Sequence, residues 1–352
     1  MGPYQVTARR WRPRDFNEVV GQRHVVQTLR NAIAANRVAH AYMFVGPRGT
    51  GKTSMARLLA MALCCNGNGD DNPAQRDAIW RGEHLDVSEL DGASNNSIED
   101  VRELRERCAY APTNGNYRVF IVDEVHMLSS AAFNGLLKIL EEPPAHVVFI
   151  FATTEIAKIP ATALSRCQRF NFRPIGAEDI VNRLAQIAAA EKVDADLPAL
   201  EAIARLARGS MRDAQTMFDQ LVTFCGGKLR ESTVQEMYSL PSAKDLDAIA
   251  AALMERDGER AVAIAEKWYG EGVDLHGALL EIQGIVRKTM VERFRGGGEC
   301  HSTMELLRTL QRHGRNLPHA ASELATLSVA LLEAIENSRR RPIGDIIEQL
   351  SN

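Results

Sequence analysis

The chain has 352 residues, of which 45% are hydrophobic and 25% charged, and its formal net charge is -3 at pH 7. This composition is typical of folded proteins and excludes a largely disordered chain, while the length predicts two or three domains rather than one core. A protein that binds DNA alone through one large basic face would be more positive, so any contact with nucleic acid is expected to be local or shared among several subunits.

Strand and helix patterns alternate in the first half of the chain. Continuous apolar runs are typical of strands buried on both faces, and the βαβα order predicts a parallel sheet with helices on both sides. Ser97, with Asp100 three residues later, resembles the capping box that begins a helix. The predicted strands are 41–45, 87–90, 119–122 and 147–151, and the predicted helices are 51–63, one that begins at Ser97, and 130–141.

Strand patterns fade after about residue 174. Residues 177–224 predict three helices, interrupted near Pro198 and Gly209, and residues 244–352 predict helices throughout. We therefore expect an α/β domain followed by two all-α domains. The predicted domains are 1–175, 176–238 and 239–352.

The cysteines and the N-terminus bear on the compartment. The six cysteines are scattered, apart from the adjacent Cys64 and Cys65, which is typical of reduced thiols in the cytosol. No run approaches the roughly 20 apolar residues of a membrane helix, and the N-terminus lacks the apolar stretch of a secretory signal. We expect a cytoplasmic protein with no membrane partner.

Residues 46–53, Gly-Pro-Arg-Gly-Thr-Gly-Lys-Thr, match the phosphate-loop pattern between a predicted strand and a predicted helix. Glycines let the backbone curl so that N–H groups point at phosphate oxygens, and the helix N-terminus adds a positive dipole. Lys52 is expected to reach the β- and γ-phosphates of ATP, and Thr53 to hold Mg²⁺ through its hydroxyl. The alternative is a chance glycine turn before a helix. The loop residues predicted to bind nucleotide are Gly46, Arg48, Gly49, Thr50, Gly51, Lys52, Thr53 and Ser54.

Two acids, Asp123 and Glu124, follow the strand predicted at 119–122. The carboxyl ends of parallel strands are where open α/β sheets bind ligands. Asp123 is expected to bind Mg²⁺ and Glu124 to polarise the attacking water, which favours hydrolysis over binding alone. An acidic turn after a strand is the alternative.

Seven motifs follow one another in an order that resembles the gamma/tau family of bacterial DNA polymerase III subunits. That family supplies the ATPase of the clamp loader, and its fold is AAA+, a P-loop parallel sheet followed by an all-α lid and an all-α collar. The resemblance is specific over about residues 4–225 and rests on helical character beyond them. The motifs are ARRWRPRDFNEVVGQ (8–22), GPRGTGKTSMARLLA (46–60), DEVHMLS (123–129), FNGLLKILEEPP (133–144), FIFATTE (149–155), LSRC (164–167) and GSMRDA (209–214).

The resemblance implies roles for three residues outside the phosphate loop. Thr154 looks like sensor 1, whose hydroxyl reports the γ-phosphate, and its alternative is a cap or turn at a strand end. Arg166 looks like the arginine finger that reaches into a neighbouring subunit's ATP site. Arg212 looks like sensor 2, which contacts ATP from the lid of its own subunit. For both arginines the alternative is a solvated surface charge.

The resemblance also implies contacts to adenine and to DNA. Basic residues at 9, 10, 12 and 14 could form a nucleic-acid patch or a solvent-facing arm. In the family this segment wraps the adenine, so we favour adenine contacts by Tyr4, Val19 and Val20. Lys138 and Thr162 look like DNA-facing positions that touch phosphates, and an ordinary exposed lysine is an equal alternative at 138. Asn95 lies where many relatives carry a basic residue, which puts one phosphate contact in doubt.

The chain departs from its relatives between residues 64 and 84. Relatives carry four zinc cysteines there, whereas this chain has Cys64, Cys65 and His84 and no C-x-x-C. A structural zinc site needs four ligands in tetrahedral geometry. We predict that zinc is absent and that a polar loop remains.

The resemblance implies the ATPase motor of the clamp loader, which uses ATP to load the sliding clamp onto primed DNA. The implied partners are the delta and delta-prime subunits, further copies of this chain, the sliding clamp and primer–template DNA at replication forks on the nucleoid. Longer relatives bind the polymerase and the helicase beyond this length, so a chain ending at Asn352 corresponds to the shorter form or to a truncated one. No polymerase acid cluster is evident, so a polymerase label would belong to the holoenzyme.

Two other functions remain open at this point. One is a helicase or branch-migration motor that would form a closed ring with the same phosphate loop. LLKILEEPP and SRC argue against it. The other is a scaffold subunit that does not hydrolyse ATP, against which the intact Lys52, Thr53, Asp123 and Glu124 argue.

Overall fold

The structure is a computed structural model that describes residues 6–65, 73–113 and 116–339. It forms two compact units that divide between Leu229 and Arg230. The first unit combines the α/β sheet and its flanking helices with the three helices predicted in 177–224, and the second is all-helical over the described residues. The division into three domains with the boundaries given above stays a prediction.

Five parallel strands form the main sheet, in the order β2-β3-β4-β1-β5. The register sets Val45 beside Thr153 and Asn171, and Asp91 beside Asp123, so the carboxyl ends of the strands meet at one edge. The strands are β1 Ala41–Val45, β2 Val87–Asp91, β3 Arg118–Asp123, β4 Val147–Thr153 and β5 Gln168–Asn171, and a separate pair is β6 Asp194–Ala195 and β7 Lys228–Leu229.

Helices cover both faces of the sheet, as the buried apolar strands require. One face packs Tyr42, Phe44 and Ile121 against the helix after the phosphate loop, and the other packs Phe120, Phe149 and their neighbours against the two helices that follow β2 and β3. The helices of the first unit are α1 Thr7–Arg10, α2 Arg23–Ala34, α3 Lys52–Cys65, α4 Pro73–Arg81, α5 Ile98–Cys108, α6 Ser130–Glu141, α7 Ala161–Leu164, α8 Ala177–Glu191, α9 Leu197–Leu206 and α10 Met211–Cys225, with 3-10 turns at Phe16–Glu18, Val125–Met127 and Ile156–Lys158.

Most of the predicted elements are confirmed. Ser97 and Asp100 form the predicted capping box at the start of α5. The three helices predicted in 177–224 are α8, α9 and α10, and Pro198 lies in the first turn of α9, where its missing N–H is tolerated. The sequence pattern missed β5, because only Phe170 of this edge strand is buried and no apolar run marks it.

The second unit, described to residue 339, is a helical bundle with its own apolar core. Trp268, Leu279 and Leu331 are among its fully buried side chains. Its helices are α11 Glu231–Met237, α12 Ala243–Glu255, α13 Gly258–Gly270, α14 Leu275–Arg295, α15 His301–Gly314 and α16 Glu323–Ser338, with a 3-10 turn at Leu317–His319. Within the described ranges, no helix combines the length and apolar character needed to cross a membrane.

Candidate nucleotide site

The loop between β1 and α3 is shaped to bind an anion. Gly49 and Gly51 have φ angles of 75° and 95°, a region that glycine enters without strain. The backbone N–H groups of residues 48–54 have no acceptor among the described residues. They lie at the N-terminus of a 14-residue helix, where the dipole also favours negative charge. The site therefore fits the phosphates of a nucleotide.

Lys52 lies inside this loop rather than in solvent. Its Nζ donates to the carbonyl oxygens of Gly46 and Pro47, each at 2.9 Å. Burial lowers the pKa of Lys52, and the nearby Glu124 and Asp123 oppose that shift. The ammonium group is thus held against the loop, where an incoming phosphate can replace the two carbonyls.

Thr53 and Asp123 meet across the cleft at the ends of α3 and β3. The Thr53 hydroxyl donates to Asp123 Oδ2 at 2.6 Å, and Asp123 Oδ1 accepts from the backbone N–H of Glu124 at 3.0 Å. A hydroxyl beside a carboxylate is an all-oxygen donor pair suited to Mg²⁺. This pair fits the metal that nucleotide binding at a phosphate loop employs.

Glu124 begins a sharp turn after β3, with a left-handed backbone at φ 45° and ψ 46°. A non-glycine residue in this region is strained, and such strain is concentrated at functional sites. Its Oε2 accepts from the Thr154 hydroxyl at 3.3 Å, just beyond the end of β4. The structure therefore brings the predicted water-polarising residue and the predicted sensor 1 together.

The N-terminus of α10 closes one side of the cleft. The Met211 N–H donates to Gly49 O at 3.1 Å. Ser210 caps the helix, and a Cβ added at Gly49 would lie 1.8 Å from its hydroxyl oxygen. Arg212, in the first turn of α10, lines the cleft beside the phosphate loop. The predicted sensor 2 thus lies on an element that touches the loop directly.

The N-terminal arm, residues 6–14, docks on α8 and α10. Thr7 donates through its N–H and its hydroxyl to Asp219. The Trp11 indole donates to Glu191 Oε1 at 2.9 Å, and the Arg183 guanidinium lies 5.5 Å from the Trp11 ring centre. The arm therefore forms a wall of the cleft, and Tyr4 lies outside the described residues.

The cleft enclosed by the arm, the phosphate loop and α10 has a volume of about 440 Å³. This volume is within the range of small-molecule sites. Val19 and Val20 line it, as do Asp123 and Glu124. Burial, with Arg57 and Arg212 adding to it, lowers the pKa of Arg12 on the same wall. Apolar side chains and a phosphate loop in one cleft suit a nucleotide, because it has both a base and charged phosphates.

Arg166 is not among the residues that line this cleft. It follows α7, where its Nη2 pairs with Glu141 Oε1 at 3.2 Å and its Nη1 donates to Thr162 O at 2.8 Å. Lys138 and Thr162 are both exposed on the neighbouring α6 and α7. The side chain of Asn95 bonds Asp91 O at 3.2 Å.

Two family models match the first unit. Residues 21–176 match DNA polymerase III, delta subunit, and residues 179–227 match the ATPase lid domain of the DNA polymerase III clamp loader subunit. The DNA polymerase III subunit gamma of Buchnera aphidicola subsp. Baizongia pistaciae is 33% identical over 92% of this chain and 87% of its own length. The chain belongs to the DNA polymerase III gamma/tau family.

Longer members of the gamma/tau family are also similar. The tau subunit of Escherichia coli is 35% identical over 97% of this chain and 57% of its own length, and that of Bacillus subtilis is 42% identical over 77% and 49%. This chain therefore spans about half the length of these tau subunits. The RuvB Holliday junction branch migration motor of Thermotoga maritima has a TM-score of 0.51 at 18% identity, covering 70% of this chain and 80% of that one, which shows a shared AAA+ fold.

The candidate zinc ligands of the sequence analysis are Cys64, Cys65 and His84. Cys64 and Cys65 are buried at the end of α3, where Cys64 donates to Tyr117 O and burial raises its thiol pKa. His84 is buried, and its Nδ1 accepts from the N–H of Asp86 at 3.1 Å. Within the described residues, no three or more metal-ligating side chains form a cluster. The absence of zinc stays a prediction.

Several cleft residues escaped the sequence analysis. Trp11, Arg183 and Gln215 line the cleft, and the imidazole of His126 lies behind Glu124. Gln215 follows Arg212 by three residues, so helical spacing could have placed both on one face. Arg183 and Trp11 are far apart in the chain, and no sequence pattern joins them.

Proposed function

We propose that this chain is the ATPase motor subunit of a clamp loader, which uses ATP to load a sliding clamp onto primed DNA. The observation that carries the proposal is that Lys52, Thr53, Asp123 and Glu124 line one cleft. Thr53 contacts Asp123, Glu124 contacts Thr154, and Lys52 lies in the phosphate loop. Subunits that only bind or support would not need Glu124 aligned on this cleft.

The loop residues bind and orient the nucleotide. The N–H groups of residues 48–54 and the Lys52 ammonium hold the phosphates, and Val19 and Val20 cover the base. Thr53 and Asp123 hold Mg²⁺, which when bound neutralises phosphate charge. Glu124 orients a water molecule for attack and accepts its proton. Thr154 keeps the Glu124 carboxylate in place, and Arg212 couples the lid to the phosphates.

Arg166 completes the site of an adjacent subunit. Its position outside its own cleft, held by Glu141 and Thr162, supports a role in trans. An arginine can stabilise the charge that develops on a transferring phosphoryl group, and in GTPases such an arginine raises kcat by about 10³-fold or more. The partners are further copies of this chain and the delta and delta-prime subunits, on primer–template DNA in the cytoplasm.

DNA contacts are expected at exposed positions of α6 and α7. Lys138 can neutralise one phosphate, and Thr162 can donate one hydrogen bond. Such contacts carry no sequence information, which suits a loader that acts at any primed site. Their small number agrees with the overall negative charge, because several subunits would share the DNA.

The experiment is ATP turnover by the complex assembled with its partner subunits, with and without clamp and primed DNA. Lys52→Ala should abolish nucleotide binding. Glu124→Gln should keep nucleotide affinity and lower turnover by about 100-fold or more. Arg166→Ala should keep binding and lose the stimulated turnover, whereas Arg169→Ala, an exposed arginine on β5, should behave like the unmodified chain.

Two outcomes would overturn the proposal. Unchanged stimulation in Arg166→Ala would remove the role in trans. Stimulation by duplex or junction DNA that exceeds stimulation by clamp and primed DNA would favour a translocating motor instead.

A further inference from the structure

The imidazole of His126 lies in a buried position directly behind Glu124. It belongs to the 3-10 turn Val125–Met127 that follows β3, and its side chain is only 5% exposed. The left-handed backbone of Glu124 begins this turn, and the His126 ring lies next to the Glu124 side chain. A buried polar ring needs polar partners, and an oxygen atom lies within 3.4 Å of each nitrogen of this ring.

The two ring nitrogens face different segments. Nδ1 lies 3.4 Å from Glu124 Oε2 and 3.1 Å from the Thr153 hydroxyl, whereas Nε2 lies 3.3 Å from Glu155 Oε1. Thr153 and Glu155 flank Thr154 at the end of β4. The ring therefore bridges the acidic turn after β3 and the segment that carries the predicted sensor 1.

We propose that His126 is a positioning residue that holds the Glu124 carboxylate by donating from Nδ1–H, while Nε2 faces Glu155 beyond the end of β4. This inference rests on the proposed hydrolysis of ATP. Glu124 Oε2 is shared by His126 and Thr154, which leaves Oε1 without a partner among the described residues. A carboxylate held by one oxygen presents the other to the cleft in a defined direction.

The physical reason is that general-base catalysis depends on direction as well as on charge. A base must lie within hydrogen-bond reach of the proton that it accepts, and a misplacement of about 1 Å can lower the rate about 100-fold. Without the ring, Glu124 would be held by Thr154 alone at 3.3 Å. Glu155 does not depend on the ring, since Lys158 Nζ pairs with it at 3.0 Å.

The two nitrogens can be tested separately with amide side chains. An asparagine at 126 places its amide near the position of Nδ1, and a glutamine places its amide near that of Nε2. We expect His126→Ala to lower kcat about 100-fold while the Kd for ATP changes less than about threefold. His126→Asn should recover at least tenfold of that loss, because it restores the contact with Glu124. His126→Gln should recover little.

The control is His146→Ala, which removes an imidazole at the opposite end of β4, where its Nε2 bonds Cys108 O at 3.1 Å. It should keep kcat. The Kd would be followed by a fluorescent ATP analogue, and folding by thermal unfolding of each variant. Equal recovery by asparagine and glutamine, or a loss of Kd that matches the loss of kcat, would overturn the positioning role. An unmodified complex that binds ATP but never turns it over, with clamp and primed DNA present, would instead overturn the proposed function.

Discussion

At the scale of single residues, the phosphate loop lies so close to α10 that Gly49 leaves no room for a side chain while Ser210 is in place. Gly49 has a φ of 75°, and an added Cβ would meet both the hydroxyl and the Cβ of Ser210. Gly51 has a φ of 95° but nothing within 4 Å of an added Cβ. Substitution at Gly51 therefore introduces backbone strain alone, whereas substitution at Gly49 introduces the same kind of strain and a clash with Ser210 of the lid.

We predict that Gly49→Ala destabilises the nucleotide-free chain more than Gly51→Ala does. Left-handed strain costs about 1–2 kcal/mol at either position, and the clash adds to it only at 49. The measurement is the midpoint of thermal unfolding. Gly49→Ala combined with Ser210→Gly should regain the difference, because glycine at a helix N-cap costs only a few tenths of a kcal/mol, roughly. Equal losses in the two single variants would mean that α10 does not rest on the loop.

The sequence predicted the residues of the loop because their chemistry depends on neighbours in the chain. Residues 46–53 form the phosphate loop through the conformation of one short stretch of backbone. Asp123 and Glu124 directly follow a strand that its continuous apolar run identifies. His126 could not be assigned in this way, since its partners Thr153 and Glu155 lie at the end of another strand and just beyond it. Its place follows from the pairing of β3 with β4, which a single sequence does not state.

At the scale of elements, one wall of the cleft depends on the contacts that hold the N-terminal arm against α8 and α10. The arm has little regular structure apart from the four residues of α1. Two acids hold the arm in place. Glu191, at the end of α8, accepts a hydrogen bond from Trp11 and forms an ion pair with Arg10. Asp219, on α10, accepts a hydrogen bond from Thr7. The arginine-rich motif suggested either DNA or adenine, and only the packed structure joins the arm to the lid helices.

We predict that Glu191→Ala weakens nucleotide binding without touching the cleft. The loss of the acceptor leaves the partly buried Trp11 indole unpaired, which costs about 1–3 kcal/mol, and the arm is released from α8. Nucleotide Kd should rise several-fold, and limited proteolysis should cut sooner between residues 6 and 14. The matched control is Glu201→Ala, an exposed acid on α9. An unchanged Kd together with faster proteolysis would show that the arm is not a wall of the nucleotide site.

At the scale of the whole molecule, each ATP site of the proposed complex is formed by two chains. One chain supplies the loop, the acids and the lid, and an adjacent one supplies Arg166. Arg166 lies outside the cleft of its own chain, partly exposed beside Glu141, which agrees with this division. Composition alone could not reveal such an arrangement, because the net charge of a chain does not show whether copies of that chain contact one another.

The most direct test is a structure of the assembled complex with Mg²⁺ and a non-hydrolysable ATP analogue. We predict a triphosphate on the N–H groups of residues 48–54, Mg²⁺ beside Thr53 and Asp123, and Arg166 of an adjacent subunit at the γ-phosphate. A nucleotide bound elsewhere, or a filled cleft with every Arg166 still turned to its own Glu141, would contradict this prediction.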